Sequence, residues 1–223
     1  MSQDWLDYFK NDGLDNFPLF IYNYYSFREP IVGHIRKHVL PGGSIVEAGC
    51  GTGLTSILLS CMGYNAVGFD KFQDVVNLAT KNNDRLGGRA RILTMDLLDA
   101  PDRISDRFDL AYSYGLIEHF EPTRIVEAMR ALGRLGRKVL VVVPTHDDPL
   151  VSGQRTFNFS ELGNLCKRAD LSPIDRFGVG TSLMKWTKLL LPPIMLKRML
   201  GGLVKSENIG IVCKSMQFVS PST

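Results

Sequence analysis

Short apolar runs alternate with segments of helical periodicity through the middle of this chain, and the alternation restricts the folds that it can adopt. The apolar runs cover residues 44–48, 65–69, 90–95, 108–112 and 138–143. Between them lie segments of helical period such as 54–61, 75–82 and 124–135. Because strands and helices in strict alternation form βαβ units with right-handed crossovers, the sequence predicts an α/β fold with a parallel sheet.

The end of this pattern predicts further elements. The run 139–143 is apolar at every position, which suits a central strand covered on both faces. Two more strands are predicted at 171–179 and 209–218. A helix is predicted at 160–169, with Ser160 as its N-cap.

The domain organisation follows from breaks in the pattern. Residues 1–40 are predicted to form an N-terminal helical extension, and residues 41–223 the main domain. Within the main domain, residues 181–207 form a basic insertion interrupted by two prolines. A chain of 223 residues is long enough to bury one large core.

Composition excludes several classes of protein. The 26 Lys and Arg residues against 23 Asp and Glu give a net charge of +3, too small to indicate a nucleic-acid partner. The N-terminus has no apolar signal segment and no run is long enough to span a membrane, so a cytoplasmic location is predicted. The four cysteines lack the spacing of a zinc site or a disulfide framework.

A glycine-rich loop is the most informative motif. Gly49, Gly51 and Gly53 lie between a predicted buried strand and the start of a helix, where backbone N–H groups can approach a ligand closely. The spacing is G-x-G-x-G, whereas a dinucleotide fingerprint reads G-x-G-x-x-G. The sequence therefore predicts a nucleotide-type cofactor and disfavours a nicotinamide dinucleotide.

Acidic residues occur at the ends of three successive predicted strands. Glu47 precedes the loop, Asp70 ends the second strand, and Asp96 follows the third. The carboxyl ends of parallel strands share one edge of the sheet, and a carboxylate 21 residues after Gly49 can accept the hydroxyls of a ribose. These residues predict a single cofactor cleft at that edge.

This set of motifs resembles the class I S-adenosylmethionine-dependent methyltransferases over roughly residues 40–180. The matching strings are 46–53 (VEAGCGTG), 68–70 (GFD), 95–96 (MD) and 108–112 (FDLAY). The resemblance implies a Rossmann-like three-layer sandwich with a mostly parallel seven-stranded sheet and an antiparallel last strand, here 209–218. It also implies S-adenosyl-L-methionine as the cofactor, with a cofactor-binding set of Glu47, Gly49, Cys50, Gly51, Gly53, Asp70, Lys71, Asp96, Leu97 and Tyr112.

The resemblance also implies a role for individual residues of this cofactor-binding set. The glycines lie along the methionine part of the cofactor, Asp70 binds the ribose, and Asp96 lies near the adenine amine. Glu47 shapes the loop and often acts through water. The family has no universal catalytic residue, because the methyl group is already activated by the positive sulfonium and the protein mainly aligns it with the acceptor.

Glu118 and His119 are the candidate catalytic residues, at a position where relatives that act on small molecules or lipids often carry a similar pair. His119 can serve as a general base near neutral pH, and Glu118 can orient a polar group. The alternative interpretation is that Glu118 bonds to the backbone and His119 packs against the cofactor.

No metal site is predicted. His146, Asp147 and Asp148 follow the fifth strand, where catechol-type relatives hold Mg²⁺, but the fourth strand ends without the aspartate those relatives need. His34 and His38 are four residues apart on a predicted helix, yet the sequence shows no third ligand. The tetrad of amide- and base-methylating relatives is also absent, which disfavours nucleic-acid bases as substrates.

Two segments have more than one interpretation. Residues 17–27 are rich in aromatic side chains and form either a lid over the cofactor, with Arg28 as a partner for its carboxylate, or an ordinary packed helix. Residues 181–207 form a substrate cap, a dimer contact or a membrane-surface helix. The stretch 176–214 carries seven basic residues and one acidic residue, which fits an anionic partner, a membrane surface or a solvated face.

The sequence thus predicts a methyltransferase that acts on a small, partly apolar acceptor at oxygen, carbon or nitrogen. One alternative is a lipid or quinone methyltransferase that contacts the membrane surface through 181–207. The other is a catalytically silent protein that binds the cofactor without turnover.

Overall fold

In the computed structural model, which describes residues 24–145, 155–180 and 207–218, seven strands form one sheet. The strands are β1 Ser44–Ala48, β2 Asn65–Asp70, β3 Arg91–Thr94, β4 Phe108–Tyr114, β5 Gly136–Pro144, β6 Leu171–Val179 and β7 Asn208–Ser215. Their order in the sheet is β3-β2-β1-β4-β5-β7-β6. β1 to β5 pair in parallel, whereas β7 is antiparallel to both β5 and β6.

Helices connect these strands. They are α1 Glu29–His38, α2 Leu54–Cys61, α3 Gln73–Arg85, α4 Ala100–Arg103, α5 Ile125–Leu135 and α6 Phe159–Arg168. A π-helical turn, Tyr24–Arg28, precedes α1, and short 3₁₀ turns cover Ile117–His119 and Met216–Phe218. In the described parts of the chain, no helix combines the length and apolar composition that crossing a membrane requires.

The sheet is the middle layer of three. Side chains of α1 and α2 pack on one face, together with Ile45 and Leu110 of the sheet. Side chains of α4, α5 and α6 pack on the other face, together with Val46 and Ala111. Successive residues of a strand point to opposite faces, so each strand contributes to both layers of the core.

The fold predicted from the sequence is confirmed. The run 139–143 is fully buried, with its odd-numbered residues on the α5–α6 side and its even-numbered residues on the α1–α2 side. The predicted last strand, 209–218, corresponds to β7, which runs antiparallel to its neighbours but ends at Ser215, with Met216–Phe218 in a 3₁₀ turn. The short helix α4 was not predicted, because four residues are too few to show a helical period.

The predicted N-cap of the helix at 160–169 is wrong by two positions. The helix begins at Phe159, and its N-cap is Asn158, whose Oδ1 accepts a hydrogen bond from the Glu161 N–H at 2.9 Å. Ser160 instead lies inside the first turn and is exposed. Asparagine and serine are comparable N-caps, so composition could not decide between the two positions.

This cap gives a stability prediction. Asn158→Ala should lower the free energy of unfolding by about 1 kcal/mol, because the Glu161 N–H loses its acceptor. Ser160→Ala is the matched control and should change it by less than about 0.5 kcal/mol. Urea denaturation of the three proteins measures both values, and a larger loss in Ser160→Ala would contradict the assigned cap.

Candidate active site

The carboxyl ends of β1 to β4 meet at one edge of the sheet and border a cleft. The residues that line it are Gly49, Phe69, Asp70, Lys71, Phe72, Met95, Asp96, Leu97, Gly115, Leu116, His119 and Phe120. They come from the end of β2 and from the loops that follow the first four strands in the chain. A cleft outside the carboxyl ends of parallel strands is where open α/β sheets bind their ligands.

The glycine loop after β1 reverses the chain at this edge. Gly49 has a φ of +68°, and a Cβ there would lie 2.8 Å from Leu116 Cδ1 in the cleft wall. Cys50 N–H donates to the Phe69 carbonyl at 2.9 Å, which ties the loop to β2. Gly53 closes the turn with its N–H on the Cys50 carbonyl at 2.8 Å, immediately before α2. Backbone hydrogen bonds therefore hold the loop in place and leave the side that faces the cleft open.

Asp70 ends β2 and lies in the cleft wall. Its two carboxylate oxygens accept one hydrogen bond each, from the Gly51 N–H and from the Phe72 N–H, both at 3.2 Å. Burial raises the pKa of Asp70, and these two backbone donors oppose that shift. A carboxylate has about four acceptor sites, so two remain to receive hydroxyl groups.

Asp96 and its neighbours form the adjoining wall. Asp96 Oδ1 accepts the Leu98 N–H at 2.9 Å, which fixes the carboxylate in the turn after β3. Leu97 and Met95 add apolar surface beside it, and Lys71 adds a positive charge next to Asp70. The wall thus alternates acidic and apolar groups, a pattern that fits a nucleoside with both hydroxyls and a flat base.

Glu47 lies behind the loop and does not line the cleft. One of its oxygens, Oε2, accepts both the backbone N–H and the hydroxyl of Ser56 in the first turn of α2. Burial raises the pKa of Glu47 to about 7, against the opposing effect of these hydrogen bonds and of the Arg28 charge. Its neighbour across the strand pair, Tyr112, is fully buried. These contacts tie α2 to β1 and hold the glycine loop between them.

The structure therefore divides the predicted cofactor-binding set. Five of its members line the cleft: Gly49, Asp70, Lys71, Asp96 and Leu97. The other five are buried and are not among the lining residues: Glu47, Cys50, Gly51, Gly53 and Tyr112. The lining also includes apolar residues that the sequence analysis did not select, Phe69, Phe72, Met95, Leu116 and Phe120. Three of these apolar residues lie within two positions of Asp70 or Asp96 in the sequence: Phe69, Phe72 and Met95. Their closeness to those acids is the sequence signal that could have identified them as lining residues.

The two candidate catalytic residues occupy different environments. His119 lies at the cleft, and partial burial together with the Lys71 charge lowers the pKa of its imidazole. A neutral imidazole can accept a proton at pH 7. Glu118 is buried, and its Oε2 has no hydrogen-bond partner among the described residues.

Burial alone gives Glu118 an unusual protonation state. It raises the pKa of the carboxyl to about 8, so the group is mainly a neutral acid at pH 7. The other oxygen, Oε1, lies 3.7 Å from the place where a Cβ would stand at Gly115, a residue of the cleft wall. Glu118 is therefore a protonated carboxyl directly behind that wall.

Several predicted features fall outside the described residues. These are the His146, Asp147 and Asp148 turn, most of the aromatic segment 17–27, and nearly all of the insertion 181–207. Of the aromatic segment, Phe27 packs against the core on the α1–α2 side, and Arg28 lies within electrostatic reach of Glu47. The lid and cap interpretations stay predictions.

Comparison with known sequences gives one family. Residues 45–138, from the start of β1 to the start of β5, match the model of a family described as a methyltransferase domain. No curated protein sequence matches the chain. The matched segment contains the glycine loop, Asp70, Asp96 and the pair Glu118 and His119.

Solved structures share the fold at low sequence identity. Magnesium protoporphyrin IX methyltransferase from Synechocystis PCC 6803, with bound SAM, is 14% identical, with a TM-score of 0.65 over 95% of this chain and 90% of that one. The 1,6-didemethyltoxoflavin-N1-methyltransferase from Burkholderia thailandensis is 16% identical, with a TM-score of 0.65 over 94% and 86%. A TehB-like SAM-dependent methyltransferase from Corynebacterium glutamicum is 22% identical, with a TM-score of 0.56 over 81% and 84%.

The buried acid Glu118 gives a pH prediction. Its folded-state pKa lies above its unfolded value, so the folded protein binds more protons and stability falls as pH rises from the unfolded pKa towards the folded one. Between about pH 5.5 and pH 8.5 this effect should lower the free energy of unfolding of the wild type by about 3 kcal/mol. Glu118→Gln should lack that part of the decline.

Urea denaturation at the two pH values measures the effect as a difference between variant and wild type. Glu121→Gln, which changes a neighbouring exposed acid, is the control and should keep the wild-type pH dependence. An equal pH dependence in Glu118→Gln and the wild type would show that this carboxyl does not titrate as described.

Proposed function

We propose that this chain is a class I S-adenosylmethionine-dependent methyltransferase that transfers a methyl group to a small, partly apolar acceptor, at an oxygen, carbon or nitrogen atom. Membership of that family and the cofactor, S-adenosyl-L-methionine, were predicted from the sequence, and the family match over residues 45–138 and the fold support both. The acceptor, its reacting atom and the roles of individual residues are the proposal.

One observation carries the proposal: the glycine loop and two acids from successive strands border a cleft whose other lining residues are mostly apolar. A Cβ at Gly49 would stand 2.8 Å from Leu116, so a residue without a side chain is what lets these two cleft-lining residues approach each other. Asp70 has acceptor sites beyond its two backbone bonds. The residues present therefore fit an adenosyl group with a ribose and an amino-acid tail.

The cofactor, when bound, supplies a methyl group on a positively charged sulfur. Asp70 would accept the ribose hydroxyls, and Asp96 would lie at the adenine amine. The side chains of Leu97, Met95 and Phe72 would pack on the base and exclude water from it. Such contacts fix the position of the methyl group, and alignment of methyl and acceptor is the main contribution of the protein to this reaction.

His119 would hold the proton that the acceptor loses. It lies at the cleft, and its lowered pKa keeps the imidazole neutral at pH 7, with a lone pair for that proton. Glu118 would position the turn Ile117–His119 from behind the wall. Leu116 and Phe120, on either side of this pair, supply apolar surface at the cleft, which favours an acceptor with an apolar part.

Two structural neighbours are named for small-molecule acceptors, which agrees with the small acceptor proposed for this chain. The Burkholderia enzyme was solved with 1,6-didemethyltoxoflavin and S-adenosylhomocysteine, and the Synechocystis enzyme is named for magnesium protoporphyrin IX. Those acceptors belong to those proteins, and for this chain only the class of small acceptor is proposed. A cytoplasmic location stays a prediction.

Calorimetry with S-adenosylhomocysteine tests the cofactor site. Asp70→Ala should abolish binding, because the loop loses the acceptor of the Gly51 N–H and the ribose loses its own acceptor. Asp74→Ala removes an exposed acid at the start of α3 and should bind like the wild type. Equal affinity in Asp70→Ala and the wild type would refute the assignment of the ribose site.

A screen with S-adenosylmethionine and metabolite extracts, read by a gain of one methylene in mass, tests the reaction. A methylated small molecule supports the proposal, and methylation of membrane lipids alone would favour a lipid methyltransferase instead. Normal cofactor binding without any product would identify a catalytically silent binding protein.

The acceptor found in this screen then tests His119. His119→Ala should bind S-adenosylhomocysteine normally and lower turnover by about 10²-fold or more, the range for loss of a general base. Activity of the wild type should fall as the pH drops towards the lowered pKa of His119, because the imidazole must be neutral to accept a proton. Loss of cofactor binding in His119→Ala equal to that in Asp70→Ala would contradict the role as a base.

A further inference from the structure

Three potential metal ligands meet on the sheet face that carries α1, among the described residues. His34 Nδ1 lies 3.1 Å from Asp175 Oδ2, and His38 Nε2 lies 3.0 Å from the same oxygen. The three ligand atoms all lie within 4.8 Å of one another. The third ligand that the sequence analysis did not find for the two histidines is therefore on β6, some 140 residues away in the chain.

A β-bulge places Asp175 on this face. Pro173 pairs with Cys213 and Asp175 with Val212, so Ile174 is an extra residue without a partner on β7. Before the bulge, Leu171 points into the α5–α6 side of the core. Strict alternation would put Asp175 on that same side as well. The extra residue shifts the alternation by one position, so Asp175 faces α1 instead.

The two histidines are held in orientation by their surroundings. They lie four residues apart on α1, so both project from one face of the helix. The His34 ring stacks on Phe177, with centroids 3.7 Å apart and planes inclined by 10°. Side-chain exposure is 25% for His34, 13% for His38 and 16% for Asp175, which leaves the site partly shielded yet open to an ion.

We propose that His34, His38 and Asp175 bind a divalent transition-metal ion of the zinc class. Two imidazole nitrogens and one carboxylate oxygen are a common ligand set for Zn²⁺, with bond lengths of about 2.0–2.2 Å. Ligand atoms of a tetrahedral site with such bonds lie about 3.3 Å apart, close to the two nitrogen–oxygen distances here. The fourth position would hold water.

Lys37 supplies a cation that competes for the same carboxylate oxygen. Its Nζ lies 2.8 Å from Asp175 Oδ2, the oxygen that both imidazoles approach. The Lys37 side chain is 60% exposed and flexible, so a metal ion can displace it into solvent.

The ion would fix α1 along β6. At the start of α1, the Gly180 N–H donates to the Ser26 carbonyl at 2.9 Å, and Gly180 directly follows β6. The triad lies near the other end of the helix. Residues 26 and 38 are about 18 Å apart along the helix, and residues 180 and 175 are about 17 Å apart along the strand. The two lengths therefore match. A metal ion would therefore attach α1, the helix that follows Arg28, to β6 at a second point.

Titration of the full chain tests this site, with Zn²⁺ in calorimetry and Co²⁺ as a spectroscopic probe. One ion should bind per chain, and Co²⁺ should give visible bands of a four-coordinate site without a thiolate charge-transfer band. His34→Ala and His38→Ala should each lower Zn²⁺ affinity at least tenfold. Binding of Zn²⁺ should also raise the thermal unfolding midpoint of the wild type and not that of His34→Ala.

Two further variants keep the test decisive. Lys37→Met alters an exposed side chain and should raise Zn²⁺ affinity several-fold, because it removes the competing cation. His119→Ala removes a histidine outside the triad and should bind Zn²⁺ like the wild type. The proposal is overturned if the wild type binds no ion, if both histidine variants keep its affinity, if the Co²⁺ spectrum shows thiolate ligation, or if Lys37→Met leaves the affinity unchanged. In those cases the cluster is an ion-paired contact between α1 and β6.

Discussion

The reversal of the chain after β1 is the constraint on which the rest of the site depends. Gly49 holds a positive φ there, and the Cys50 N–H bonds to the Phe69 carbonyl, so the loop is anchored to β2 before α2 begins. The same turn presents the Gly51 N–H to Asp70. Any side chain at Gly49 would strain the backbone and also meet Leu116, so the packing of this part of the cleft wall depends on a residue without a Cβ.

The four acids of this region lie at two depths. Glu47 and Glu118 are buried behind the cleft, and desolvation raises the pKa of both, to about 7 and about 8. Asp70 and Asp96 lie in the cleft wall, where backbone N–H groups bond to their carboxylates. A buried carboxyl that is protonated avoids the cost of burying a charge, while the acids of the wall supply the acceptors that a ligand needs.

Much of the fold was predictable, because it follows from local patterns. The strand 139–143 is apolar at every position since helices cover both faces, and the loop after β1 needs glycines since their φ angles are positive. The candidate site was half predictable. Asp70 and Asp96 follow strand ends, and parallel strands bring those ends together. The sequence could not show that Glu47 turns towards Ser56, because both faces of β1 are buried and periodicity does not distinguish them.

The amino-acid sequence by itself determined the order of strands and helices, the parallel edge and the place of the cleft, because hydrophobic periodicity and glycine conformation act over a few residues. Only the tertiary structure decided which distant side chains meet. The bulge at Ile174 turns Asp175 towards His34 and His38, and this depends on the pairing of β6 with β7. A one-residue change in strand register has no signature in the strand's own sequence, yet it moves every later side chain to the opposite face.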